Sequence, residues 1–359
     1  MTKPMCQLLA TLLTAVLASV LVVAAPPAQA QVGVQRQTWT VPNASGGTDS
    51  VPGLLFYPSA ATATAQQWGP FALTVAPGAA PLPGRHPLVL ISHGTGGHEL
   101  GHAWLAQALA GEGYIVVALR HGGDNYLDRS AVARPDFLVE RPRQASRVLD
   151  ALLADARWAP LLDSRRIAAF GHSAGGHTVL ALAGAAVDGQ RLLVHCGASG
   201  AGPQDDGELC RLAGFSAEHP APAPRQPAAP ATSLRDTRVR AVVADAPMTL
   251  ALDAAAWPAL AVPTLVSYGG HDAVLVPRFH AEPLCAAAPQ IHCLRSADAG
   301  HFASFQAGTG PLGAGLADPA ADPPGFDRRA WQAQAWPRIR DFLAQALATG
   351  AEAAPPARP

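Results

Sequence analysis

The chain has 359 residues, of which 49% are apolar and 14% charged, with a formal net charge of −1. That composition can fill a sizeable core, and a single α/β domain can reach this length. Lys3 is the only lysine, and beyond it 24 arginines face 26 acidic residues. This balance excludes the strongly basic face that nucleic acid requires, and a chain without Lys3 could run no P-loop, Schiff-base or Ser–Lys mechanism.

In chain order, residues 1–30 read as a secretory signal peptide. Lys3 gives a thin positive start, Leu8–Ala25 is apolar, and Ala28-Gln29-Ala30 before Gln31 fits small-residue cleavage. The expected location is therefore periplasmic or secreted, with no later stretch apolar enough to span a bilayer. Gly53–Tyr57 and Phe71–Val75 read as antiparallel edge strands. Leu88–Ser92 is a buried strand running into His93-Gly94-Thr95-Gly96-Gly97, where glycines let the backbone approach a substrate oxygen. His98-Glu99-Leu100-Gly101-His102 then matches H-E-x-x-H, which on a helix presents two zinc ligands and a glutamate base. Gly101 weakens such a helix, and Leu105 stands where the extension to a third ligand needs glycine. Trp104, Leu105, Ala108 and Leu109 give the next helix an apolar face. Ile115–Leu119 is a strand, and Glu140-Arg141-Pro142 opens a helix carrying Val148, Leu149, Leu152 and Leu153.

The apolar Ile167–Phe170 precedes Gly171-His172-Ser173-Ala174-Gly175-Gly176, and the Ala-rich 174–186 follows as a helix. A serine among small residues at a strand-to-helix junction is the nucleophile elbow of an acyl-transfer site. Such a site needs two backbone N–H donors for the oxyanion, one from the residue after the nucleophile and one from an earlier loop. Ala174 and Thr95 are the candidates. Pro203–Arg235 is a Pro/Ala-rich insertion, its Ala221–Ala231 part of low complexity, and reads as a lid or as disordered chain. Val239–Ala244 is a strand ending at Asp245. Thr264–Tyr268 is another, followed by Gly269-Gly270-His271-Asp272. After a short strand near Ile291–Leu294 comes Ala299-Gly300-His301-Phe302, which supplies the base. The order Ser173…Asp272…His301 is that of a hydrolase triad, Asp245 being the second candidate for the acid. Gln306–Pro324 is a long loop, Trp331–Leu347 the closing helix, and 348–359 a tail expected to lack order. His121, His177, His195 and the neighbouring His271 read as surface or core hydrogen-bonders, and Trp104, Trp158 and Trp257 as packing.

From Pro87 to His301 the chain resembles α/β-hydrolases of the dienelactone-hydrolase-like and platelet-activating-factor-acetylhydrolase-like kind. The carrying motifs are Ser92-His93-Gly94, Asp163-Ser164-Arg165-Arg166-Ile167 before the elbow, and Ala299-Gly300-His301-Phe302. Dienelactone hydrolases proper carry cysteine where this chain has Ser173. The resemblance implies a mostly parallel central sheet with helices on both faces, as the alternation of strands and helices also does, in one domain over 31–347. It further implies ester substrates with short acyl groups or of acetylated-lipid type; acetylhydrolases of this kind take their acid from the position of Asp245. The expectation is a serine esterase without metal or cofactor, acting on a small ester or lipid. The alternatives are a zinc metallopeptidase at 98–102 and a non-catalytic exported binding protein. Export would put Cys196, Cys210, Cys285 and Cys293 in an oxidising compartment. Three pairings are then open, of which sequence proximity favours Cys196–Cys210 and Cys285–Cys293.

Overall fold

The computed structural model describes residues 30–352, apart from 44, 45, 133, 135, 224–230, 261, 309, 311 and 313–317. The expected signal segment and residues 353–359 of the expected tail fall outside these residues. The strands are β1 (Gln31–Pro42), β2 (Thr48–Ser59), β3 (Thr64–Trp68), β4 (Phe71–Pro77), β5 (His86–Ser92), β6 (Ile115–Leu119), β7 (Leu162–His172), β8 (Val239–Asp245), β9 (Thr264–Gly269) and β10 (His292–Ser296). They form one sheet in the order β10-β9-β8-β7-β5-β6-β2-β1-β4-β3. From β10 to β6 every pairing is parallel, while β2 joins antiparallel to both β6 and β1.

The strand residues alternate between two cores, as the pleat demands. Leu88, Leu90, Ile115, Val117, Ile167 and Ala169 pack on one face, Val89, Ile91, Val116, Ala118, Ala168 and Phe170 on the other. Helices cover both faces because a parallel sheet has no solvent side. The first face takes α2 (Phe137–Ala154), α3 (Ala174–Ala183) and, beyond the insertion helices described next, α7 (Ala281–Ala287); the second takes α1 (Ala103–Gly111) and α8 (Arg328–Glu352).

Three expectations need correction. Neither expected edge strand is an edge: Gly53–Tyr57 lies inside the sheet within β2, because β1 pairs with all of β2, and Phe71–Val75 lies in β4, between β1, parallel to it, and the antiparallel edge strand β3. The alternation in β1 changes parity between Val34 and Trp39: Val32 and Val34 enter one core, Trp39 and Val41 the other, so no single period marks it as a strand. The insertion 203–235 is partly helical: α4 (Gln190–His195) precedes it, and α5 (Gly202–Asp205) and α6 (Gly207–Leu212) form its first part. Its residues 224–230 lie outside the described ones. The closing helix runs on to Glu352, five residues beyond the expected Leu347. Both disulfides favoured by proximity are formed, Cys196–Cys210 and Cys285–Cys293.

Helix α2 begins before its expected opening, so Pro142 sits inside it. Proline has no N–H to give the carbonyl four residues back, here that of Leu138. The buried ring of His177, on α3, donates from Nε2 to Leu138 O at 2.9 Å. The proline is thereby accommodated, and α2 is joined to the helix that follows Ser173.

Candidate active site

The carboxyl ends of β5, β7, β8 and β9 lie side by side, with Ser92 opposite Gly171, His172 opposite Asp245, and Asp245 opposite Ser267. Loops leaving this edge converge, as they do in open parallel sheets. Ser173 follows β7 directly and adopts φ 58°, ψ −118°, a left-handed φ that costs a non-glycine residue energy and is kept only where the surroundings enforce it. The enforcement is visible. Ser173 N–H donates to Asp245 O at 3.0 Å, and Ser173 O accepts from Met248 N–H at 3.1 Å and from His177 N–H at 3.1 Å. The flanking glycines admit no side chain: a Cβ on Gly171 would stand 2.0 Å from Gly175 O, and one on Gly175 1.9 Å from Ser92 O.

His301 and Asp272 are both buried at the same sheet edge. His301 Nδ1 donates to Asp272 Oδ2 at 2.7 Å. The other carboxylate oxygen, Oδ1, accepts from Val274 N–H at 2.9 Å and Leu275 N–H at 2.8 Å, so the carboxylate cannot rotate. Asp245, the second candidate, faces elsewhere: Ser267 and Ser304 donate their hydroxyls to its two oxygens. Burial pushes its carboxyl up to about 6. Asp245 therefore clamps β8 to β9 and to the histidine loop, without a contact to the imidazole of His301 among the hydrogen bonds of the described residues. Thr95, Ser173 and Ala174 line one cavity of about 830 Å³. Among the described residues, neither the Thr95 nor the Ala174 N–H has a protein acceptor.

No protein-family model matches the chain. Over 97 residues it is 34% identical to Cutinase est2 of Thermobifida alba, a stretch amounting to 26% of this chain and 29% of that protein. The chain thus matches under a third of that relative's length. Among solved structures, a ferulic acid esterase from Streptomyces cinnamoneus superposes with a TM-score of 0.59 at 18% identity, covering 94% of this chain and 96% of that one. The chain has the α/β-hydrolase fold.

Within that fold, several buried polar residues hold the loops of the site; His121 and His177 are the core hydrogen-bonders expected of them, while Arg141, Asp124 and His172 carried no sign of such a role in the sequence. The glycine-rich loop after β5 is held by the Arg141–Asp124 pair, both members buried. Gly96 N–H donates to Asp124 Oδ1 at 2.8 Å, and Arg141 donates to Asp124 Oδ2 and to His93 O. A charge so deep is costly unless paired and hydrogen-bonded, and here each charge also grips the backbone on either side of Thr95. The histidine loop is gripped likewise. His172 Nε2 donates to His301 O at 2.8 Å, while His102 Nδ1 and Trp104 Nε1 both donate to Ser304 O, at 2.9 and 2.7 Å. Burial drives His93, His121 and His172 well below the usual imidazole range, and His102 and His177 to about 4. These rings are neutral, as their single-donor roles require.

The H-E-x-x-H residues take other roles. Positions 98–102 form turns ahead of α1, with His102 as its N-cap, so no helical face presents both histidines. His98 Nδ1 accepts from Leu100 N–H at 3.0 Å, and Glu99 faces Arg120 at 3.4 Å. Among the described residues, no group of three or more His, Cys, Asp or Glu is placed to hold a metal ion. His195 bonds to Asp206, and His121 to Ser92 and Gln144.

Proposed function

We propose that this protein is an exported serine hydrolase that cleaves carboxylic esters through an acyl-enzyme, within one hydrolase domain over 31–347. The observation that carries the reading is the buried His301–Asp272 pair at the sheet edge where Ser173 is held at a left-handed φ. Ser173 Oγ attacks the ester carbonyl as His301 Nε2 takes its proton, and the new C–O bond yields a tetrahedral oxyanion facing the Thr95 and Ala174 N–H groups. Collapse expels the alcohol, which receives that proton from His301. Water, deprotonated by the same ring, then releases the acid and restores Ser173. Asp272 fixes the Nδ1–H tautomer and stabilises the transient imidazolium.

The local identity to a cutinase and the overall likeness to a ferulic acid esterase favour carboxylic esters. The dienelactone-hydrolase-like and acetylhydrolase-like motifs favour short acyl groups or acetylated lipid-type substrates, and the two disulfides suit an oxidising compartment outside the cytosol. Among the described residues, no helix is long and apolar enough to cross a membrane. The test is Ser173→Ala together with a serine-reactive phosphonate. Where the triad acts as a unit, such a substitution removes roughly 10⁶ of turnover, and the phosphonate should label Ser173 stoichiometrically. A Ser173→Ala protein keeping more than a few per cent of ester hydrolysis would overturn the reading.

A further inference from the structure

The cavity containing Ser173 is mostly apolar, and much of its wall comes from α4, α6 and the residues that follow them. Leu192 and Leu193 of α4, Leu209 and Leu212 of α6, and Phe215 face Met248 and Leu275 of the hydrolase body across it. Helices of four to six residues are far too short to persist alone. Three connections hold them here. The Cys196–Cys210 bridge ties the end of α4 to α6, and Leu192, Leu193 and Phe215 pack against it. The third is Asp206, fully buried between α5 and α6. Its Oδ2 accepts from His195 Nε2 and from His280 Nε2, each at 3.0 Å, and its Oδ1 accepts from Val276 N–H at 3.2 Å. His280 precedes α7 and lies in the body, so Asp206 fastens the α4–α6 segment to it. The segment after Asp272 is shared: Val274 and Leu275 N–H go to Asp272, and the next amide, Val276, goes to Asp206.

We infer that the disulfide-stapled α4–α6 segment is the binding wall for a hydrocarbon chain of the ester, and that Asp206 is the positioning residue that sets this wall against the triad. The inference rests on the ester-hydrolase reading and deepens it. A carbonyl placed between Ser173 and the Thr95 and Ala174 amides sends one of its two substituents into the same cavity. Among the described residues, α4–α6 contribute no charged side chain to that space, and its one charged lining residue, Arg134, comes from outside them, so a methylene chain or aryl group is favoured against the α4–α6 wall.

The experiment measures kcat/KM on the full chain for two ester series: 4-nitrophenyl acetate to dodecanoate, which lengthens the acyl half, and acetate esters of ethanol to dodecanol, which lengthens the alcohol half. Burial of each methylene is expected to raise kcat/KM by up to roughly fourfold in one series until the cavity is full; that series identifies which half occupies it. In Leu192→Ala/Phe215→Ala and in Asp206→Ala, the octyl-to-shortest ratio in that series should fall at least tenfold, with Asp206→Asn falling less because it keeps one oxygen acceptor. Cys196→Ala/Cys210→Ala, read the same way, covers a failure of the first variant to fold. A flat dependence in both series, or variants that lower long and short esters by equal factors, overturns the inference while leaving the hydrolase standing. Absence of hydrolysis of every ester would instead overturn the underlying reading, and this inference with it.

Discussion

Asp272→Asn tests the assignment of the acid through one proton. In the wild type, Asp272 Oδ1 accepts two backbone N–H groups and Oδ2 accepts the His301 Nδ1 proton. An asparagine has one acceptor oxygen and one NH₂ group. The two amides of Val274 and Leu275 require the oxygen on their side, which turns the NH₂ toward His301. Nδ1 must then accept, so Nε2 carries the proton and cannot take one from Ser173. The same kind of change in a serine protease costs about 10⁴ in turnover, equivalent to about 5.4 kcal/mol of barrier, and a comparable loss is expected here with little change in fold. Asp245→Asn meets only the rotatable hydroxyls of Ser267 and Ser304, which can turn to donate or accept, and should lower kcat less than tenfold. The assay is steady-state hydrolysis of a 4-nitrophenyl ester, normalised by phosphonate titration, with circular dichroism as the fold control. The reverse ranking of the two variants, or more than a tenth of wild-type kcat in Asp272→Asn, would refute the reasoning.

Three further outcomes are expected. The imidazoles of His102 and His177 titrate near 4 in the fold and near 6.5 when unfolded, so the unfolded chain binds more protons between those values. Their contribution is complete above pH 6.5 and is lost as pH falls toward 4, by roughly 3 kcal/mol each. Asp245, at about 6 in the fold, acts with the opposite sign and offsets roughly one of these two. Thermal unfolding should therefore show a falling melting temperature from pH 7 to 5, steeper in Asp245→Asn; a flat or rising profile would contradict this. Gly175→Ala places a methyl group against the Ser92 carbonyl and should lower both melting temperature and kcat, and an unaltered melting temperature would show that the elbow is looser than described. Chelation followed by dialysis should leave ester hydrolysis unchanged, because His98 and His102 serve the loops around the site; activity lost on chelation and restored by zinc would return the chemistry to residues 98–102.

The parts of the site that follow a local rule were readable in sequence. The elbow needs small residues on both sides of Ser173, the strands of the parallel region are continuous apolar runs, and Asp272 and His301 each follow a strand in the required order. The choice between Asp245 and Asp272 could not be made that way, since both end strands and only the direction of each carboxylate separates them. Arg141, Asp124 and Asp206 were passed over because each is an ordinary polar residue in a helix or loop, and its role depends on partners 11 to 74 residues away. A charged residue at a core position of α2, such as Arg141, was the one available signal. The strand β1 escaped because it changes core midway, and the insertion because short helices held by a disulfide and a carboxylate need no periodicity of their own.

The pairing of Pro142 with His177 constrains how this chain can vary. Replacing His177 alone strands the Leu138 carbonyl, which no main-chain donor at 142 can rescue, whereas an alanine at 142 supplies the missing N–H and makes the histidine dispensable for that bond. Loss of the proline is thus a permissive step that must come first, and loss of the histidine can follow it. Relatives that keep a proline at this point of the helix are expected to keep a donor on the first turn after Ser173, while those without the proline are free to use that position for packing. A substitution four residues after Ser173 is in this way licensed by a residue on another helix.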